Sequence, residues 1–180
     1  KLKYPTKVQG SSTLLLNESC PNAEMVKYVF PARDNMPKVA MPEVEVIWYD
    51  GGLKPNRPEG LPAGKDLNDG GGGAIFYGTK DTLIVGSYGR DPYLLSGRKP
   101  EVPQTIRRVK TNHQQDWIRA CKEHPSVRVP SDSDFSEAGP FNEMVVMGVN
   151  AIRLQGLNME LEWDGEKMEF TNIPENATVR

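Results

Sequence analysis

Along this 180-residue chain, short apolar or alternating runs are separated by clusters of Pro, Gly, Asn and Asp. Three such runs, Val8 to Leu16, Met25 to Phe30 and Val44 to Tyr49, are rich in Val, Leu, Ile and aromatics and predict three strands. Pro31, Pro37 and Pro42 punctuate the connection between the second and third, because proline lacks the backbone donor that a central strand needs. The stretch from Gly51 to Gly73 carries Pro55, Pro58, Pro62 and the run Gly70-Gly71-Gly72-Gly73, and predicts a long surface excursion. Beyond it, Ala74 to Tyr77 and Thr82 to Ser87 flank the turn-rich tetrad Gly78-Thr79-Lys80-Asp81, the pattern of a β-hairpin.

The period then changes. Thr111 followed three residues later by Gln114 has capping-box spacing, and Trp117, Ile118 and Cys121 fall on one helical face. A helix from about Asn112 to Lys122 is predicted, closed by Pro125. A longer helix follows the loop at Ser131 to Ser133, with Pro140 in its first turn and Glu143 complementing the positive end of the dipole. Its apolar stripe is Phe141, Met144, Val145, Gly148, Ala151 and Ile152, and Asn142, Asn150 and Arg153 are expected on the wetter side. Gly148 in that stripe permits close approach to a sheet, at a cost of about 1 kcal/mol relative to alanine. Met159 to Trp163 alternates again, and Asp164-Gly165 is a turn dipeptide ahead of Met168 to Thr171, so a final hairpin is predicted.

The sum is seven or eight mostly consecutive strands and two late helices, without the strict alternation that a parallel sheet demands. The class expected is therefore α+β, a large, mainly antiparallel open sheet with helices packed on one face. The other face is left for solvent or association.

Composition and charge narrow the partners. The length and the 37% hydrophobic content fit a single domain over residues 1–180 with one core. With 22 basic against 24 acidic residues the net charge of -2 gives no electrostatic case for nucleic acid. The longest apolar stretch, Met144 to Val149, is far short of the roughly 20 residues of a membrane span. The sequence enters strand-like pattern almost at once after Lys1, so it is expected to be a fragment of a longer protein. Cys20 and Cys121 form no paired motif and are expected to be buried thiols.

Candidate chemistry is sparse. The glycine run lacks the GxxxxGK[ST] pattern, with Thr79 standing where the lysine belongs, and no GxGxxG opens a helix. His113 and His124 sit in no metal-ligand spacing. His113 can serve as an acid or hydrogen-bond donor to a substrate hydroxyl, helped by Asp116, or can simply start a helix in solvent. Trp48-Tyr49-Asp50-Gly51-Gly52 offers two amphipathic aromatics and a carboxylate that suit a polyol, or places Trp48 in the core and Asp50 in a turn. In Tyr88-Gly89-Arg90-Asp91-Pro92, Arg90 can reach a ligand carboxylate or phosphate, or pair with Asp91 or Asp50. The candidate substrate-binding set is thus Trp48, Tyr49, Tyr88, Arg90, His113 and Trp117; no catalytic, cofactor or metal residue is assigned.

Several pieces in order resemble the C-terminal half of Gfo/Idh/MocA-type oxidoreductases, over nearly the whole chain. They are Phe30-Pro31-Ala32-Arg33, Met36-Pro37, Ile47 to Gly52 with Pro55 and Pro58, Gly78-Thr79-Lys80, and Gly86-Ser87-Tyr88-Gly89. His113 to Cys121, Phe135 to Gly139, Glu143 to Asn150, Ala151 with Arg153, Glu162-Trp163-Asp164 and Phe170-Thr171-Asn172 continue the series. The resemblance implies an N-terminal Rossmann domain that binds NAD or NADP and lies outside this chain. It also implies an α+β domain whose open sheet face builds a homo-oligomer and whose helix side closes over a sugar-like substrate. The family's catalytic lysine and histidine motifs occur nowhere in these residues, so the fragment is expected to hold no cofactor and to be inactive alone. Two other readings stand beside it: a carbohydrate-binding module using the same exposed aromatics, and a purely structural dimerisation domain with Trp48, Trp117 and Trp163 in its core. Compartment, cytoplasmic or exported, is not fixed by the sequence.

Overall fold

The computed structural model describes residues 2, 4–33, 42–67 and 70–177. Pro37, and with it the Met36-Pro37 piece, lies outside them. The fold is α+β with antiparallel sheets, and the chain forms two compact units, residues 1–54 with 109–180 and residues 55–108.

The first unit holds a five-stranded sheet. β1 (Lys7–Ser12), β2 (Glu24–Phe30) and β3 (Val44–Tyr49) form a meander, and β7 (Leu161–Asp164) and β8 (Glu169–Phe170) extend it in the order β3-β2-β1-β7-β8. Every pairing is antiparallel. Register follows side-chain alternation: Val8 stands opposite Tyr28 and Leu161, and Tyr28 opposite Val46, so these residues share one face. That face, with Val26 and Phe30, is the core.

Helix α2 (Phe135–Arg153) covers this face, contributing Met147, Gly148, Ala151 and Ile152. At Gly148 a Cβ would stand 2.1 Å from the Tyr28 hydroxyl, so only glycine lets the helix sit this close to β2. Three features differ from the sequence expectation. The helix starts earlier: Asp134 caps it by accepting the Ser136 N–H at 3.0 Å, which puts Pro140 in the helix interior rather than its first turn. Glu143 is consequently two turns in, beyond reach of the dipole's positive end. The buried stripe is also turned towards Met147, leaving Phe141 and Val145 exposed.

Helix α1 (His113–Lys122) matches the predicted span, but its cap is Asn112, whose carboxamide oxygen accepts the Gln115 N–H at 2.9 Å, rather than Thr111. Cys20 and Cys121 are exposed, not buried, and no disulfide joins them.

The second unit is a three-stranded antiparallel sheet of β4 (Gly73–Tyr77), β5 (Thr82–Gly86) and β6 (Tyr93–Leu94). The strands expected in one large sheet are therefore divided five and three. The turn at residues 78–81 closes with the Gly78 N–H donating to the Asp81 carbonyl at 3.0 Å. Asp81 also accepts from the Thr82 amide and the Ser96 hydroxyl, which holds its carboxyl below the usual range. Residues 53–67 run as an irregular excursion that buries Pro58 and Leu61.

Candidate functional site

The six sequence candidates lie in three places. Trp48 and Tyr49 end β3, but period-two alternation sends them to opposite faces: Trp48 pairs with Val26 on the α2 side, and Tyr49 with Met25 on the open side. They cannot line one binding surface. The Trp48 indole, 56% exposed, donates to an Asp50 oxygen at 3.3 Å, and the other Asp50 oxygen accepts the Glu24 amide at 3.0 Å. Asp50 thus closes the β2–β3 edge, and Gly51, at φ 60, completes the turn where a Cβ would strike the Asn22 carbonyl at 2.0 Å.

In the second unit, Tyr88 and Arg90 do come together. Tyr88 is 99% exposed with a left-handed backbone, φ 58, and the Arg90 guanidinium lies 5.9 Å from its ring centre. Two bonds to the Ser87 carbonyl, from the Arg90 amide at 3.2 Å and its Nε at 3.1 Å, hold this turn.

His113 and Trp117, one helical turn apart, share an exposed side of α1, with Trp117 58% exposed. Asp116 is turned inward and only 4% exposed, where it binds Arg119 at 3.1 Å and the Asp132 amide at 3.1 Å. Its visible work is to tie α1 to the loop before α2. The structural-core placement of the tryptophans does not hold for Trp48 and Trp117; Trp163 alone is half-buried, its ring edge-on to Phe170 at 4.9 Å.

Sequence reasoning missed a groove among the described residues. It has a volume of about 380 Å³ and is lined by Tyr4, residues of α2 (Asn142, Glu143, Val146, Met147, Asn150), Trp163 and Met168. The Glu143 carboxylate accepts the Trp163 indole N–H at 2.8 Å. Asp164 shapes the neighbouring β7–β8 turn by accepting the Glu166 and Lys167 amides at 3.0 and 3.1 Å, and those bonds lower its pKa. The only signal available beforehand was Trp163 in an alternating strand; its partner Glu143 lies 20 residues earlier.

Loops and helix starts bear on phosphate binding among the described residues. The glycine run leads into β4, a strand, instead of opening a helix onto a pyrophosphate, and the starts of α1 and α2 are occupied by Asn112 and by the carboxylate of Asp134. No cluster of three His, Cys, Asp or Glu suited to a metal occurs among them, and no helix is long and apolar enough to cross a membrane. No protein-family model matches the chain, and no curated protein matches it.

Proposed function

We propose that this chain is the substrate-side and oligomerisation domain of an NAD(P)-dependent oxidoreductase acting on a sugar or polyol, inactive without a separate nucleotide-binding domain. The ordered resemblance over nearly the whole chain supports this reading. The observation that carries it is the unevenly covered sheet: α2 packs over β1 and β2 on one face, while the other carries the partly exposed Met25 and Ile47 beside a set of paired charges, with Val29 buried at one end. An antiparallel sheet with one bare, partly apolar face is suited to association with a second copy.

Sedimentation of the purified chain tests it. A dimer is expected, dissociating when Met25→Lys and Ile47→Lys are combined, and no sugar oxidation is expected when nicotinamide cofactor is added. A monomeric chain, or one that oxidises sugars unaided, overturns the reading. The carbohydrate-binding module is favoured by a different observation, the exposure of Trp48, Tyr88 and Trp117. Glycan binding by the isolated chain, abolished by Trp117→Ala and unaffected by the sheet-face substitutions, would select it instead.

A further inference from the structure

The groove beside α2 has a composition that identifies a ligand class without reference to the proposal above. Its walls are two aromatic rings, Tyr4 and Trp163, two methionines, Met147 and Met168, and Val146. Among the described residues of the lining, Glu143 is the one that carries a charge. A Cβ placed on Gly165 would stand 3.6 Å from Glu143 Oε1, Trp163 Nε1 and Tyr4 Cβ alike, so these three side chains converge on one spot under the β7–β8 turn.

Aromatic side chains, polarisable sulfurs and a single carboxylate complement an organic cation. A metal ion fits poorly, because hard cations gather several oxygens and this lining supplies one carboxylate. For a polyol the lining offers chiefly Asn150 and the second Glu143 oxygen, since the first is bonded to the indole and the Asn142 Nδ2 donates at 2.9 Å to the Ala138 carbonyl; glucose is therefore the rival ligand. The geometry points to a binding site for a small organic ammonium compound, its cationic head against Trp163 and Tyr4 and its charge met by Glu143. The indole bond orients that carboxylate before a ligand arrives, which reduces the ordering cost of binding.

Calorimetric titration of the full chain with choline tests the assignment, with 3,3-dimethyl-1-butanol, its uncharged isostere, and glucose as comparisons. Choline is expected to bind and the isostere to bind at least about tenfold more weakly, since only the charge differs. Glu143→Gln keeps an oxygen for the indole while removing the charge, and is expected to weaken choline by at least about tenfold. Should that variant fail to fold, the choline-to-isostere ratio on the unaltered chain decides alone. Equal binding of choline and its isostere, tighter binding of glucose, or no heat from choline up to about 10 mM overturns the inference. None of these outcomes bears on whether the open sheet face dimerises, so the two proposals fail separately.

Discussion

The two faces of the five-stranded sheet are built from alternate residues of the same strands, yet they are held by different forces. On the α2 side, Val8, Val26, Tyr28, Phe30 and Leu161 are sealed under the helix and stabilised by apolar burial and close packing. On the other side, Lys7 and Lys27 both reach Glu160, at 3.1 and 3.0 Å, and Lys27 also lies 3.9 Å from Glu45. These pairs are partly exposed, so each is worth little. Apart from Val29, which is buried beside Lys7 and Glu45, the apolar core lies on the α2 side, and the ion-pair face is the one open to specialisation. Three measurements sharpen that division.

The largest effect is expected at Phe30, 1% exposed and at the end of β2. Phe30→Ala should cost about 3–5 kcal/mol in chemical denaturation, because it removes a buried ring and leaves a cavity beneath α2. Gln9→Ala, on the other face of β1, should change stability by no more than about 0.5 kcal/mol. Similar losses at the two positions would show that the bare face is as structural as the covered one.

A smaller effect is expected from Tyr28, whose hydroxyl lies under Gly148. Burial, followed by the nearby Glu24 carboxylate, raises its pKa from 10.0 to about 12. The folded state thus holds the phenol proton more tightly than the unfolded chain. The resulting stability is complete below pH 10 and is lost as the pH rises towards 12, by about 2–3 kcal/mol. Denaturation across this range should show the loss, and Tyr28→Phe should remove it. An unchanged alkaline profile in Tyr28→Phe would mean that the phenol is not the group responsible.

What was legible in the sequence follows the same division. Period two located β2, β3 and the β4–β5 hairpin, because apolar alternation and turn residues act over a few neighbours, but it carried β1 on to Leu16 although the strand ends at Ser12 and Leu14 and Leu16 are exposed. It also separates Trp48 from Tyr49, which a search for clustered aromatics had treated as one surface. The start of α2 was misplaced because Ser131, Asp132, Ser133 and Asp134 all suit a cap, and Pro140 drew the boundary inward; the Asp134 bond to Ser136 decides it. The groove was illegible for a different reason. Its Glu143–Trp163 bond exists only after α2 has returned across the sheet and β7 has paired with β1, and no local pattern encodes that meeting.

The smallest effect tests the open face itself, at Glu160. Hydrogen bonds from Lys27 and then Lys7 hold its pKa below the ordinary 4.5. For a carboxyl with a depressed folded-state pKa, the stabilisation is present above the unfolded value and disappears as the pH falls through the folded one. Its contribution is thus complete above about pH 4.5 and fades only in stronger acid. Because the side chain is 30% exposed and shared between two lysines, its worth should be only about 0.5–1 kcal/mol, and less in high salt. Glu160→Gln should produce that loss at neutral pH in low salt and match the parent chain once both are acidified. A cost several times larger would place the charges among the elements that hold the sheet together. The open face could then not be treated as a surface whose residues are set by what binds it.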